Sequence, residues 1–258
     1  AGRPGFDSTA LWARTGLMDL VKPGPDSPPA RSLPGMGDHP TAMSLYAAIM
    51  TGLFRRERTG KGGHVSTSLM ANGVWWNGLL TQAMLCGGQV VCRPPRENAG
   101  NPLHNLYQTR DGRWIHIVFN TNLHRWPEFA DLIARPELGS DPRFDSQEGR
   151  IANSAALIPV MEAAFAERDF AEWVQLLDEN RFTFGDVRKI DDIPNDRQML
   201  EGRVLRPIDD LAAGADYVVD TPIWVEDSEK VAPAMPPELG EHTEDVLRAI
   251  GYDDEGLA

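Results

Sequence analysis

The sequence predicts an α/β protein, and three observations carry that expectation. An apolar helical pattern opens at Asp38 and closes on a basic, glycine-ended turn, after which a β-prone run leads into a second apolar helix. The pair Asp111-Gly112 separates two strand-like runs, as a tight hairpin turn requires. Two amphipathic helix patterns then follow in series from Asn153. Composition agrees: 258 residues with 41% hydrophobic and 24% charged side chains can bury a substantial core.

Taken in order, Phe6 to Val21 is expected as one helix, with Leu11, Trp12, Thr15 and Leu17-Met18 forming its stripe. Lys22 to Pro34 holds five prolines and is expected as a loop. Asp38 stands where an N-cap belongs, with Pro40 in the first turn. Ala42, Leu45, Tyr46, Ile49, Met50, Leu53 and Phe54 then keep the three-to-four spacing of a helix with one buried face. Arg55, Arg56 and Arg58 place cations where the helix dipole favours them, and Thr59-Gly60 ends the run.

His64 to Ser68 is predicted as a short strand and Leu69 to Leu85 as a second apolar helix. In that helix Trp75 and Trp76 are neighbours, so only one of them can face the core. Gly87-Gly88 and Pro94-Pro95 mark a boundary, which sets a domain junction near residue 100. Beyond it come the hairpin Leu106–Thr109 and Trp114–Phe119, then helices Asn153–Glu167 and Asp169–Asn180. The first of these carries Leu157, Ile158, Met161, Ala164 and Phe165 on one face. Thr183 to Ile193 is expected to return through a strand into a short helix. A strand at Val218–Val225 and an amphipathic helix at Glu241–Ile250 complete the chain, which has no internal repeat.

Charge and cysteine content narrow the function classes. The formal charge of −13 is uneven: residues 1–100 hold 10 Lys/Arg against 6 Asp/Glu, and the remainder is strongly acidic. Such a chain is a poor nucleic-acid binder, because that task depends on neutralising phosphates. No apolar run approaches the ~20 residues of a membrane span, so no membrane partner is expected. Two cysteines, Cys86 and Cys92, cannot build a disulfide framework, and a reducing cytoplasm is the expected location. The histidines have no ligand spacing with cysteines or carboxylates, so no metal is expected.

On residue type, Asp38 is the leading candidate for chemistry. A carboxylate at a helix N-terminus can act as base or nucleophile, and can equally serve as a plain cap. His39 adjoins it, and Gly35-Met36-Gly37 would let a substrate or backbone approach it closely. The basic turn Arg55–Lys61 can attract phosphates or simply complement the helix dipole.

Gly37-Asp38, the helical run after it, and Arg55-Arg56-Glu57-Arg58-Thr59-Gly60-Lys61-Gly62-Gly63-His64 form an ordered set. Pro4-Gly5-Phe6-Asp7, Gly100-Asn101-Pro102 through Arg110-Asp111-Gly112-Arg113-Trp114, and Pro236-Pro237-Glu238-Leu239-Gly240-Glu241-His242-Thr243 with Val246-Leu247 and Gly251 extend it over nearly the whole chain. Together these motifs resemble the class III CoA-transferases (CaiB/BaiF), the group of formyl-CoA and carnitine CoA-transferases and methylacyl-CoA racemases.

The resemblance implies the latter part of a Rossmann-like large domain over residues 1–100 and a small α+β domain over 101–185. Residues 186–258 would return to the large domain, and an N-terminal part of the family fold is expected outside this chain. It also implies CoA transfer between carboxylic acids by way of acyl-CoA thioesters, with coenzyme A thioester as substrate and no permanently bound cofactor. An interlocked homodimer, or a heterodimer with a homologue, is the expected assembly.

By the same resemblance Phe6, Asp7, Gly37 and His39 would lie at the CoA site and Asp38 would be catalytic. Two family signatures are altered. The transferase aspartate, nine residues after Gly62, is replaced by Ala71, and the racemase histidine by Phe6. A methyl group cannot attack a thioester. Acyl-CoA racemase-like proton transfer, and a non-catalytic subunit paired with an active homologue, therefore stand as alternatives.

Overall fold

The computed structural model describes residues 4–90, 93–119, 123–208, 214–231 and 234–257; Cys92 lies outside them. The chain divides after Val187 into two compact units. Helix and sheet are mixed, and every strand ladder among the described residues is antiparallel.

The first unit opens with a π-helical segment, Asp7–Ala13, and a short helix α1 (Leu17–Leu20). The single helix expected from Phe6 to Val21 is thus broken. Phe6 is extended, and Gly16 at φ 83° takes a left-handed conformation that interrupts the ladder. Leu11, Trp12 and Leu17 are nevertheless buried together, with Met18 and Leu69 packed against them.

Helix α2 (Asp38–Thr59) ends as its sequence predicts, with Gly60 at φ 68° donating its N–H to the Arg56 carbonyl at 2.7 Å. Its start differs by one residue. Gly37 is the boundary residue and Asp38 is the first helical one, with no cap bond from its side chain. The apolar stripe of α2 is not buried: Leu45, Ile49, Leu53 and Phe54 are all exposed. Among the described residues α2 leans chiefly on α3, which leaves most of that stripe without a covering layer.

His64 to Ser68 joins no ladder among the described residues, so the expected strand is absent there. The expected long helix Leu69–Leu85 is two helices, α3 (Leu69–Trp76) and α4 (Gly78–Leu85), parted at Asn77. Ser68 caps α3 by accepting the Ala71 N–H at 3.1 Å. Trp76 meets Trp12 edge to face at 6.5 Å, and Trp75 is 82% exposed.

The hairpin forms as predicted. Strands β1 (His104–Gln108) and β2 (Trp114–Val118) pair with Tyr107 opposite Ile115, and Gly112 takes φ 74° in the turn. Strand β3 (Phe184–Val187) adds to β2, giving the order β1-β2-β3. One face of this sheet is covered by helices. Helices α5 (Trp126–Leu132), α6 (Glu137–Ser140) and α7 (Gln147–Ala152) are too short for hydrophobic periodicity to mark them in advance. Helices α8 (Ser154–Phe165) and α9 (Phe170–Glu179) stand where they were expected, with all five stripe residues of α8 buried.

The larger of the two hydrophobic clusters in this unit lies here. Tyr107 stacks on Phe165, and the buried indoles of Trp126 and Trp173 each donate to a main-chain carbonyl. Asp111 ties turn to helix by accepting from the Phe170 N–H at 3.0 Å.

In the second unit a 3₁₀ turn (Ile190–Asn195) and α10 (Arg197–Glu201) precede a two-stranded ladder of β4 (Leu205–Pro207) and β5 (Tyr217–Val219). The strand expected over Val218–Val225 therefore stops at Val219. Helix α11 (Thr243–Ala249) matches the predicted C-terminal helix but buries none of its residues, and α12 (Asp254–Leu257) follows. Among the described residues no helix is long and apolar enough to cross a membrane.

Candidate active site

Three segments far apart in sequence meet around Leu11, which is fully buried. A Cβ placed on Gly37 would lie 3.1 Å from Leu11 Cδ1, and one on Gly73 would lie 3.0 Å from Leu11 Cγ. Glycine at both positions lets the start of α2 and the middle of α3 close onto the opening segment. Asn77 then donates its amide to the Thr15 carbonyl at 2.6 Å, and Asn72 accepts from the Ser44 hydroxyl. The Asn72 amide also donates to Thr67 Oγ1 at 2.9 Å and to the Ser68 carbonyl at 2.8 Å. These two buried amides lace α2, α3 and the opening segment together. Sequence reasoning missed both, although a polar residue inside an otherwise apolar helical pattern was the available signal.

On this frame sit four of the five predicted site residues. Asp7 is half-buried, and its Oδ2 accepts the Gly35 N–H at 2.8 Å. Gly37 is buried against Asp7 and Leu11. The His39 ring covers Gly35, with Cδ2 3.1 Å from where a Cβ would be. Asp38 follows directly as the first residue of α2, exposed, with no hydrogen bond or ion pair to any described residue. Phe6 precedes Asp7 and is 71% exposed, so it forms no part of the core.

The basic turn lies at the other end of α2. At 1.5 Å per residue, Arg58 is about 30 Å along the helix from Asp38. Arg56 pairs with Glu57 at 3.1 Å and Arg58 lies over the Phe54 ring, so these cations have local partners. Ala71 is exposed in the first turn of α3, beside the buried Asn72. A concavity of about 850 Å³ lies in the second unit around Arg206, Trp224 and Lys230, and no predicted site residue lines it. Among the described residues no group of three or more His, Cys, Asp or Glu is placed to hold a metal ion.

A carboxylate that is open to solvent, on a helix N-terminus, and preceded by two turn glycines can attack an electrophilic carbonyl or hold a proton. A profile describing CoA-transferase family III matches residues 1–243 of this chain. The chain belongs to CoA-transferase family III.

Named relatives agree with that membership. The chain is 29% identical to the (R)-2-hydroxy-4-methylpentanoate CoA-transferase of Clostridioides difficile, over an alignment that covers 99% of this chain and 63% of that protein. It is 26% identical to the succinyl-CoA:glutarate CoA-transferase of Mus musculus, covering 98% of this chain and 57% of the relative. The chain therefore spans about three-fifths of the length of these family III relatives.

The fold of a CaiB/BaiF family protein from Brucella suis superposes with a TM-score of 0.81 at 23% identity, over 96% of this chain and 63% of the other. A crystal structure of a Mycobacterium tuberculosis protein gives 0.76 at 25% identity, over 93% and 62%. The family expected from the ordered motifs is the family found.

Proposed function

We propose that this family III chain takes part in CoA transfer between carboxylic acids, with Asp38 as the nucleophile. The observation that carries the proposal is that Asp38 is free. It caps nothing, pairs with nothing described, and stands exposed behind two glycines at the head of a 22-residue helix. Ala71 offers no nucleophilic atom, so the nearest family signature cannot supply one.

In this scheme a carboxylate oxygen of Asp38 attacks the thioester carbonyl, and the C–S bond breaks to release CoA thiolate. The resulting mixed anhydride is attacked by that thiolate at the aspartyl carbonyl, which frees the donor acid and leaves an aspartyl-CoA thioester. The acceptor carboxylate then attacks the aspartyl carbonyl and expels the thiolate. The thiolate finally attacks the acceptor's acyl carbon, which yields the new acyl-CoA and restores the Asp38 carboxylate.

Phe6 and His39 would border the acyl group, while the glycines at 35 and 37 let the turn before Asp38 pack closely onto His39, Asp7 and Leu11. In the same proposal residues 1–100 belong to the CoA-binding domain, 101–185 form the small domain, and 186–258 return to the first. The assembly is a cytoplasmic interlocked homodimer or a heterodimer with a homologue. The uncovered apolar faces of α2, α3 and α4 support an assembly of that kind.

Intact-protein mass spectrometry after incubation with acyl-CoAs tests the chemistry. The names of the relatives suggest 2-hydroxyacyl and dicarboxylyl donors for the panel. The expected result is an adduct that hydroxylamine removes and that Asp38→Ala abolishes. An adduct that persists in Asp38→Ala, or turnover in that variant at the wild-type rate, would sink the role of Asp38.

A further inference from the structure

We propose that Asp7 is a positioning residue whose carboxylate locks the Gly35–Gly37 turn and so fixes where Asp38 stands, rather than a group that touches CoA. The proposal rests on Asp38 being the nucleophile. The tie spans 28 residues, from the opening segment to the turn before α2. Both Asp7 oxygens already accept main-chain donors, Oδ2 from the Gly35 N–H and Oδ1 from the Ser8 N–H. With about two acceptor sites on each oxygen, these bonds use roughly half of the carboxylate's capacity and aim it at the turn.

The turn is held on every side. The Gly35 carbonyl accepts the His39 N–H at 3.0 Å, and the Gly37 carbonyl accepts the Thr41 hydroxyl at 2.8 Å. Gly35 takes φ 79°, which strains any side-chain-bearing residue, and a Cβ on Gly37 would lie 3.0 Å from the Cβ of Asp7. The backbone at Gly37 therefore rests directly on Asp7.

Ahead of the turn runs the proline-rich loop, where Ala30 N–H to the Met18 carbonyl is one of few long-range main-chain bonds. The Asp7–Gly35 bond is thus a polar tie from the opening segment to the turn that leads into α2. Because one partner is ionised, it is stronger than an ordinary amide bond. A first-turn carboxylate can attack only from the position its own backbone gives it, so loosening the turn would scatter Asp38 away from a productive geometry.

The test compares Asp7→Ala and Asp7→Asn with the wild type in the full-length protein. The amide of Asn keeps an oxygen that can accept the Gly35 N–H. Hydrogen exchange over residues 33–41, measured without substrate, should speed up by at least about tenfold in Asp7→Ala, the loss expected for a charge-assisted bond. Exchange in the 104–118 hairpin should not change, which shows that the variant is folded. Asp7→Asn should restore most of the protection.

Where the wild type forms the Asp38 adduct, Asp7→Ala should lower its maximal rate and leave the half-saturating acyl-CoA concentration within about twofold. Asp7→Asn should recover that rate. Unchanged exchange in Asp7→Ala would overturn the proposal. So would equal weakening of acyl-CoA saturation in both variants with the maximal rate intact, which would make Asp7 a ligand-binding carboxylate. If the wild type forms no adduct, the role of Asp38 fails on its own, and the exchange comparison still decides whether Asp7 holds the turn.

Discussion

Ala71 and Asn72 are adjacent in the first turns of α3, yet they face opposite environments. Ala71 is exposed, and Asn72 is 4% exposed with its amide fully bonded to Ser44, Thr67 and the Ser68 carbonyl. Restoring a carboxylate at each position should therefore give opposite results. Ala71→Asp should change stability by no more than about 0.5 kcal/mol, since it adds an exposed anion at a helix N-terminus. Asn72→Asp turns two donors into acceptors facing a carbonyl and should cost about 1–3 kcal/mol or more. Urea denaturation of the two variants checks this, and equal midpoints would contradict the packing described. The same contrast bears on Asp38. The sequence proposes a carboxylate at a helix start, but only exposure and partners show whether it is spent on a cap.

At the scale of elements, the hairpin and its helices were legible and the opening segments only partly so. Asp-Gly gives a turn with φ > 0, and alternate strand residues bury Asn105, Tyr107, Ile115 and Ile117, so pattern and pleat agree. The exposed face of that sheet carries a titratable pair. His104 and His116 have ring centroids 5.2 Å apart, and His116 is pushed below the usual histidine value by burial, then by His104 and Arg93.

A base with a lowered folded pKa binds protons less readily in the folded state than in the unfolded one. Its stabilising contribution is intact above the unfolded value of about 6.5 and is lost as the pH falls through the folded value. The stability of wild type relative to His116→Gln should therefore drop on acidification below about pH 6.5. His104→Gln should move the His116 titration, followed by NMR, back towards its ordinary value. No movement would show that His104 contributes nothing to the shift.

The helices of the first hundred residues are less legible in the sequence because their breaks are tertiary. Gly16 and Asn77 interrupt patterns whose periodicity runs straight through them, and Asn77 does so while bonding Thr15, 62 residues earlier in the chain.

At the scale of the whole molecule, the first hundred residues leave much apolar surface uncovered. Trp75, Leu79 and Leu85 are 70% exposed or more, and Phe54 and Met84 lie bare on α2 and α4. Monomeric proteins seldom leave apolar patches of that extent uncovered. The 258-residue chain on its own should bind a hydrophobic dye or self-associate. Replacing Trp75 and Leu79 with Arg should reduce both without lowering the unfolding midpoint, since neither side chain is buried. A midpoint that falls would mean those residues pack within the chain after all.

The sequence by itself determined the family, through motifs whose order survives although each is weak alone, and it determined those elements whose caps, turns and periodicity are local. It placed α8, α9, the hairpin and the end of α2 because each is encoded within a few neighbouring residues. Tertiary structure alone decided which apolar stripes are buried, where two helices break, and that Asp7 is bonded while Asp38 has no partner among the described residues. Those outcomes depend on partners tens of residues away, and no local pattern records whether a hydrogen bond across 28 residues has been made.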